Sequence, residues 1–232
     1  MSPKPGVAIT VLRALPIFET LDDECLKPLM RVAMLRAIPR HTVVLNAGDS
    51  TDNIYFVLSG SLKVQVSDED GREVILSKLG PGELFGEMGV LDENPRSATV
   101  LAVEPSQVVV MGKADFKQCL VDNPDVALFI MRNLTKRLRM ADRNIESLAL
   151  LDVYGRVARL LLESAETIDG RKVVTHKLTK QDIGKMIGAS REMVSRVMRD
   201  LTAQGLIEER DGQLILPDPA AFKRHGEMDA AG

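Results

Sequence analysis

The sequence predicts an α+β chain: an N-terminal antiparallel β jelly-roll, one long dimerisation helix, and a C-terminal winged helix-turn-helix. Three patterns carry that reading. Between positions 39 and 111, short alternating apolar runs are cut by turn residues roughly every 10–12 positions, the rhythm of an all-β sandwich or barrel. After Asn123-Pro124 the period changes to heptads, which belong to a long helix. After Leu178, two short amphipathic stretches flank Gly188-Ala189-Ser190, the spacing of two helices around a tight turn. The predicted domains are therefore 1–123, 124–151 and 152–232.

At 232 residues, with 45% hydrophobic and 27% charged side chains, the composition is that of an ordinary globular protein. Residues 17–37 read as one or two short helices leading into the sheets. Ile54, Phe56 and Leu58, then Leu62, Val64 and Val66, alternate as half-buried strands do, because successive side chains point to opposite faces. Gly and Pro punctuate them at Ala47-Gly48-Asp49, Ser59-Gly60-Ser61, 68–71, Gly80-Pro81-Gly82, Asn94-Pro95 and Glu104-Pro105.

In the long helix, Ala127, Met131, Leu134, Leu138, Ala141, Ile145 and Leu148 follow a 4-3-4-3-4-3 spacing. That narrow seam predicts pairing with a second helix and hence a homodimer, whereas a helix lying on its own domain carries a wider apolar stripe. Beyond Leu151-Asp152 the pattern gives a helix over 153–166, a polar loop over 167–172 and helical segments within 178–204. The tail, 217–232, has no periodic pattern and is expected to fray.

The formal net charge of −3 argues on its face against a nucleic-acid partner. Its distribution says otherwise. Residues 1–123 hold 12 basic and 17 acidic side chains, while 124–210 hold 16 and 12. Within 171–199, eight cations (Arg171, Lys172, Lys177, Lys180, Lys185, Arg191, Arg196, Arg199) face two anions (Asp182, Glu192), which makes a local positive field. Cys25 and Cys119 lack metal-site spacing, and His41, His176 and His225 are scattered, so neither a metal nor a prosthetic cofactor is predicted. No clustered metal set or nucleophile–base pair marks an enzyme. With no signal-peptide pattern and no long apolar run, a cytoplasmic protein without membrane contact is expected.

Thr179 is placed to cap one helix, with Asp182 at the capping-box position, and Ser190 to cap the next. Val194, Val197, Met198 and Leu201 give the second helix its inward face, while Arg191, Glu192, Ser195, Arg196 and Arg199 point outward. Arginine pairs bidentately with guanine O6 and N7, and glutamate accepts from cytosine N4. The outward face therefore carries major-groove reading chemistry, a solvated charged face being the plainer alternative. Thr179, Lys180 and Ser190, at or beside helix N-termini, suit phosphate contacts. Residues 205–208 and 213–216 around Asp211-Gly212 add a hairpin, the wing.

On these residues the chain resembles the catabolite activator (CRP/FNR) family of bacterial transcription regulators from about Leu15 to Pro217. Gly48-Asp49 with Asp52, Ile54, Tyr55, Val57 and Gly60 resembles the turn-strand-turn of cyclic-nucleotide-binding domains. Phe85-Gly86-Glu87-Met88 and Arg96-Ser97-Ala98 resemble the family's phosphate-binding cassette. Leu148-Ala149-Leu150-Leu151-Asp152-Val153, Gly155-Arg156 and Gly188-Ala189-Ser190-Arg191-Glu192 with Arg196 resemble its hinge and recognition helix. The resemblance implies a dimer on palindromic double-stranded DNA, with Arg191, Glu192 and Arg196 reading TGTGA-like half-sites, and RNA polymerase as a partner.

The cassette suits a cyclic nucleotide. Arg96 offers a two-pronged pair to the cyclic phosphate, Ser97 and the amides around Gly86 and Ala98 donate to its oxygens, and Glu87 accepts from a ribose 2′-hydroxyl. Met88 belongs to the same turn. The alternatives are that Glu87 and Arg96 pair with each other, or that the pocket is vestigial in an effector-independent regulator. Base identity stays open. Where cyclic-AMP-responsive members carry a Thr-Ser pair on the long helix, Ala141 and Asp142 stand here. Asp142, with Arg139 or Arg143 nearby, suits guanine, so cyclic GMP and cyclic di-GMP join cyclic AMP as candidates; a solvated flank explains Asp142 equally.

Overall fold

The computed structural model describes residues 6–175, 178–210, 213–218 and 220. His176, Lys177, the Asp211-Gly212 turn, His225 and most of the predicted frayed tail lie outside them. The chain divides into two compact units, Met1–Lys136 and Arg137–Gly232.

In the first unit, α1 (Ile9–Arg13), a 3-10 turn (Pro16–Phe18) and α2 (Asp23–Val32) precede the sheets. α2 starts where Asp22 accepts the Cys25 amide at 2.8 Å, with Asp23 and Glu24 in the first turn, so exposed amides are satisfied and the helix dipole is complemented. Then come β1 (Met34–Ile38), β2 (Val43–Leu45), β3 (Asn53–Ser59), β4 (Leu62–Ser67), β5 (Glu73–Leu79), β6 (Leu84–Phe85), α3 (Glu87–Asp92), β7 (Thr99–Ala102), β8 (Ser106–Gly112) and α4 (Lys113–Asp122). Two antiparallel four-stranded sheets, ordered β1-β8-β3-β6 and β2-β7-β4-β5, make the roll.

In this unit two details differ from the expectation. The stretch 17–37 is not all helical: β1 pairs with β8 from Met34↔Val110 to Ile38↔Ser106, so tertiary pairing overrides the helix-compatible residues Met34, Leu35 and Ala37. And β3 is buried on both faces. Tyr55 and Val57 point into the roll with Leu62, Leu79, Phe85, Val100 and Val108. Ile54 and Phe56 point outward, where Leu12, Leu15, Phe18, Leu26 and Phe116 cover them. The alternation is real, but its second face is sealed by helices rather than by water.

α5 (Pro124–Leu150) runs for 27 residues, ~40 Å at 1.5 Å per residue. Proline at its first position needs no amide donor there. Val126 and Ile130 enter the N-terminal core, whereas Met131, Leu138, Ile145 and Leu148 of the heptad seam are 54%, 63%, 66% and 56% exposed.

The second unit continues with α6 (Val153–Ser164), capped by Asp152, which accepts the Gly155 amide at 2.8 Å. β9 (Ala165–Ile168) and β10 (Arg171–Val174) follow, then α7 (Lys180–Ile187), α8 (Arg191–Ala203), β11 (Glu208–Arg210) and β12 (Gln213–Leu216). The predicted polar loop over 167–172 is a β-hairpin, and α6 stops at Ser164 to supply its first strand. Asp169 (φ 48°) and Gly170 (φ 76°) form its two-residue turn in the left-handed conformation that matches strand twist. The sheet runs β11-β12-β10-β9. Val157, Leu161, Ile183, Ile187, Val194, Leu201 and Leu216 form a core between the three helices and this sheet.

Candidate functional site

The cassette sits where β6 ends and α3 begins. Gly86 takes the left-handed conformation (φ 80°, ψ 8°), and a Cβ there would lie 2.6 Å from Arg96 Nη1. Only glycine meets both demands. Gly89 is held as tightly: a Cβ would lie 2.4 Å from Thr51 Oγ1, which donates to the Asn94 carbonyl at 3.0 Å. Main-chain bonds from Gly48 N to Arg96 O (2.8 Å) and from Arg96 N to Asp49 O (2.9 Å) stitch the Gly48-Asp49 turn to the arginine.

Arg96 is buried. Its Nη1 donates to Gly86 O at 2.7 Å and its Nη2 to Asn53 O at 2.6 Å, while its Nε has no hydrogen-bond partner. The guanidinium carbon lies 6.0 Å from the centroid of Tyr55, which stacks on Phe85 at 4.9 Å. Burial pushes the Arg96 pKa below its ordinary value, opposed by Tyr55, Asp52, Glu87 and Asp49. An arginine nonetheless keeps its charge in proteins. A buried, charged fork with an unsatisfied donor is costly unless an anion completes it. Glu87, at the start of α3, is 1% exposed. Thus the buried Arg96 is bonded to half-buried Gly86, whose neighbour Glu87 is buried, and Ala98 is buried two residues beyond Arg96. Met88 and Ser97 stand exposed beside it, Ser97 Oγ 3.8 Å from Met88 Sδ.

Ala141 and Asp142 are exposed on α5 within the other unit. Sequence reasoning passed over two contributors to the arginine's seat. Tyr55 reads in the sequence as part of a strand pattern and not as a floor for the guanidinium, and the carbonyl of Asn53 leaves no side-chain signal at all.

The candidate nucleic-acid face is built on α7 and α8. Thr179 Oγ1 accepts the Asp182 amide at 3.0 Å. The Asp182 carboxylate returns to that hydroxyl at 2.8 Å rather than to the Thr179 amide, so the capping box closes in altered form. Gly188 ends α7 with φ 67°, and Gly184 lets the turn close, since a Cβ there would meet Ala189 O at 2.5 Å. Ser190 Oγ then accepts the Met193 amide at 3.2 Å and starts α8. Val194, Val197, Met198 and Leu201 are buried, leaving Arg191, Glu192, Met193, Arg196 and Arg199 exposed. Lys180 Nζ lies 3.5 Å from Ser195 Oγ, which brings the cation of α7 to the same surface. Thr179 and Ser190 are likewise exposed.

Among the described residues no group of His, Cys, Asp and Glu could hold a metal ion, and no helix is long and apolar enough to cross a membrane. Cys25 and Cys119 are free thiols.

Residues 35–123 match the family model of the cyclic nucleotide-binding domain, and residues 155–225 that of the Crp-like helix-turn-helix domain. The chain is 35% identical over 185 residues to the cAMP-activated global transcriptional regulator CRP of Pasteurella multocida, covering 77% of this chain and 87% of the relative. It is 29% identical over 218 residues to a CRP-like cAMP-activated global transcriptional regulator of Mycobacterium tuberculosis, covering 92% and 97%. Among solved structures, the c-di-GMP-responsive global regulator CLP of Xanthomonas campestris superimposes with a TM-score of 0.72 at 27% identity, over 85% of this chain and 100% of that one.

Proposed function

Because the chain belongs to the CRP/FNR family of DNA-binding transcription regulators, we propose that it works as a homodimer whose grip on palindromic DNA is set by a cyclic nucleotide bound in the β-roll. The observation that carries the effector half is Arg96: a buried guanidinium, seated by two carbonyls and an aromatic ring, with its Nε unsatisfied. A cyclic phosphate supplies the missing acceptor. In this reading Ser97 and the amides near Gly86 and Ala98 complete the phosphate cradle, Glu87 takes the ribose hydroxyl, and Met88 shields the turn.

For DNA, Arg191, Glu192 and Arg196 read base edges, and Thr179, Lys180 and Ser190 hold phosphates. Two copies joined along the exposed seam of α5 would present two such helices to successive major grooves, ~34 Å apart. The effector acts through the seam helix and the Leu151-Asp152-Val153 hinge on that spacing. RNA polymerase is the protein partner proposed with the family, and the protein performs no turnover.

Relatives described as cAMP-activated favour cyclic AMP. A guanine nucleotide is the second reading, favoured by Asp142 and by the c-di-GMP-responsive structural relative. Ala141 offers a base no hydrogen bond, while the Asp142 carboxylate suits guanine N1–H and N2–H2. Calorimetry of the purified protein with cyclic AMP, cyclic GMP and cyclic di-GMP tests the proposal. One nucleotide should bind, and Arg96→Ala and Arg96→Lys should both weaken it at least tenfold while the circular dichroism spectrum is retained. Unchanged affinity in both variants overturns the cassette assignment. No heat with any of the three, together with DNA binding indifferent to all of them, makes the pocket vestigial.

A further inference from the structure

Four of the five large apolar side chains of α8 are buried; the fifth, Met193, is 46% exposed. It stands in the first turn, its amide fixed by Ser190 Oγ at 3.2 Å, one residue beyond Glu192 and three before Arg196. Residues three apart share a helix side, so Met193 and Arg196 flank the same groove-facing edge. The N-terminal residues of a recognition helix are the ones that meet base edges. Every other residue in this exposed arc is polar or charged, and a solvent-facing thioether gains nothing from water.

In the major groove, the C5-methyl of thymine is the apolar group that the base pairs present. Methionine is unbranched and polarizable, so it adapts to such a small target better than a β-branched side chain. From its place, exposure and neighbours we infer that Met193 is a specificity-determining residue that packs on a thymine methyl beside the base read by Arg196. This rests on the proposed placement of α8 in the major groove.

The test uses the full chain, saturated with whichever of the three nucleotides binds, and the best palindrome recovered by in vitro selection from a random duplex pool. Each thymine is replaced, one symmetric pair at a time, by deoxyuridine, which removes only the methyl. At one symmetric pair the replacement should weaken the wild type at least threefold. It should leave Met193→Gln unaffected and should weaken Met193→Leu as it does the wild type. Because Met193 is exposed, both variants should keep the parent's melting temperature. Equal sensitivity of wild type and Met193→Gln at every position, or no sensitivity anywhere, overturns the inference while leaving the reading helix intact. Failure of selection to enrich any sequence overturns the major-groove placement and this inference with it.

Discussion

Gly86 and Gly48 both have positive φ, at 80° and 85°, but only at Gly86 does a neighbour forbid a side chain. Gly48→Ala should therefore cost only the left-handed backbone term, about 1–2 kcal/mol. Gly86→Ala should cost more in denaturant titration and also weaken effector binding, because Arg96 Nη1 must move. Equal losses would mean the arginine's seat is not rigid. Cys119 gives a second residue-level check. Burial pushes its thiol pKa up to about 11, so at pH 8 about one molecule in a thousand carries the reactive thiolate. A thiol reagent should label Cys119 only after unfolding, and labelling of the native protein at the rate of an exposed cysteine would contradict that burial. At this scale the exposed α8 arginines follow from helix periodicity and side-chain chemistry, whereas Gly86, Glu87 and Arg96 come from the resemblance to the family's cassette. Partners contributed by main chain, such as the Asn53 carbonyl, were not legible in the sequence, because any residue type supplies a carbonyl.

Among the elements, the long helix was the most legible, since a seven-residue repeat has no strand counterpart. The Asp169-Gly170 hairpin was missed although its dipeptide is the strongest short hairpin signal; the charged residues around it masked strands only four residues long. β1 was missed for another reason. Its place is set by pairing with β8, some seventy residues away in the chain, and local propensity does not encode that. The exposed seam makes a prediction about α5. Leu138→Asp puts a charge in a position that is 63% exposed in a single chain, so the monomer should fold unchanged while the dimer should dissociate. Sedimentation at micromolar concentration should show a monomer with native circular dichroism. A persistent dimer would place the interface elsewhere.

For the whole molecule, the net charge of −3 conceals a division of labour. The acidic excess lies in 1–123, and the cations gather in 171–199, around the helices that carry Arg191, Arg196 and Lys180. Affinity for DNA should therefore fall steeply with salt despite the acidic total, because each neutralised phosphate releases counterions. In the proposed function, occupancy of the Arg96 cassette controls the α8 surface. Fluorescence anisotropy on the selected palindrome, measured with and without saturating nucleotide for wild type and Arg96→Ala, tests it most directly. Wild-type DNA affinity should rise at least tenfold with the bound nucleotide, and that of the variant should not. The same DNA affinity with and without nucleotide in the wild type would contradict it.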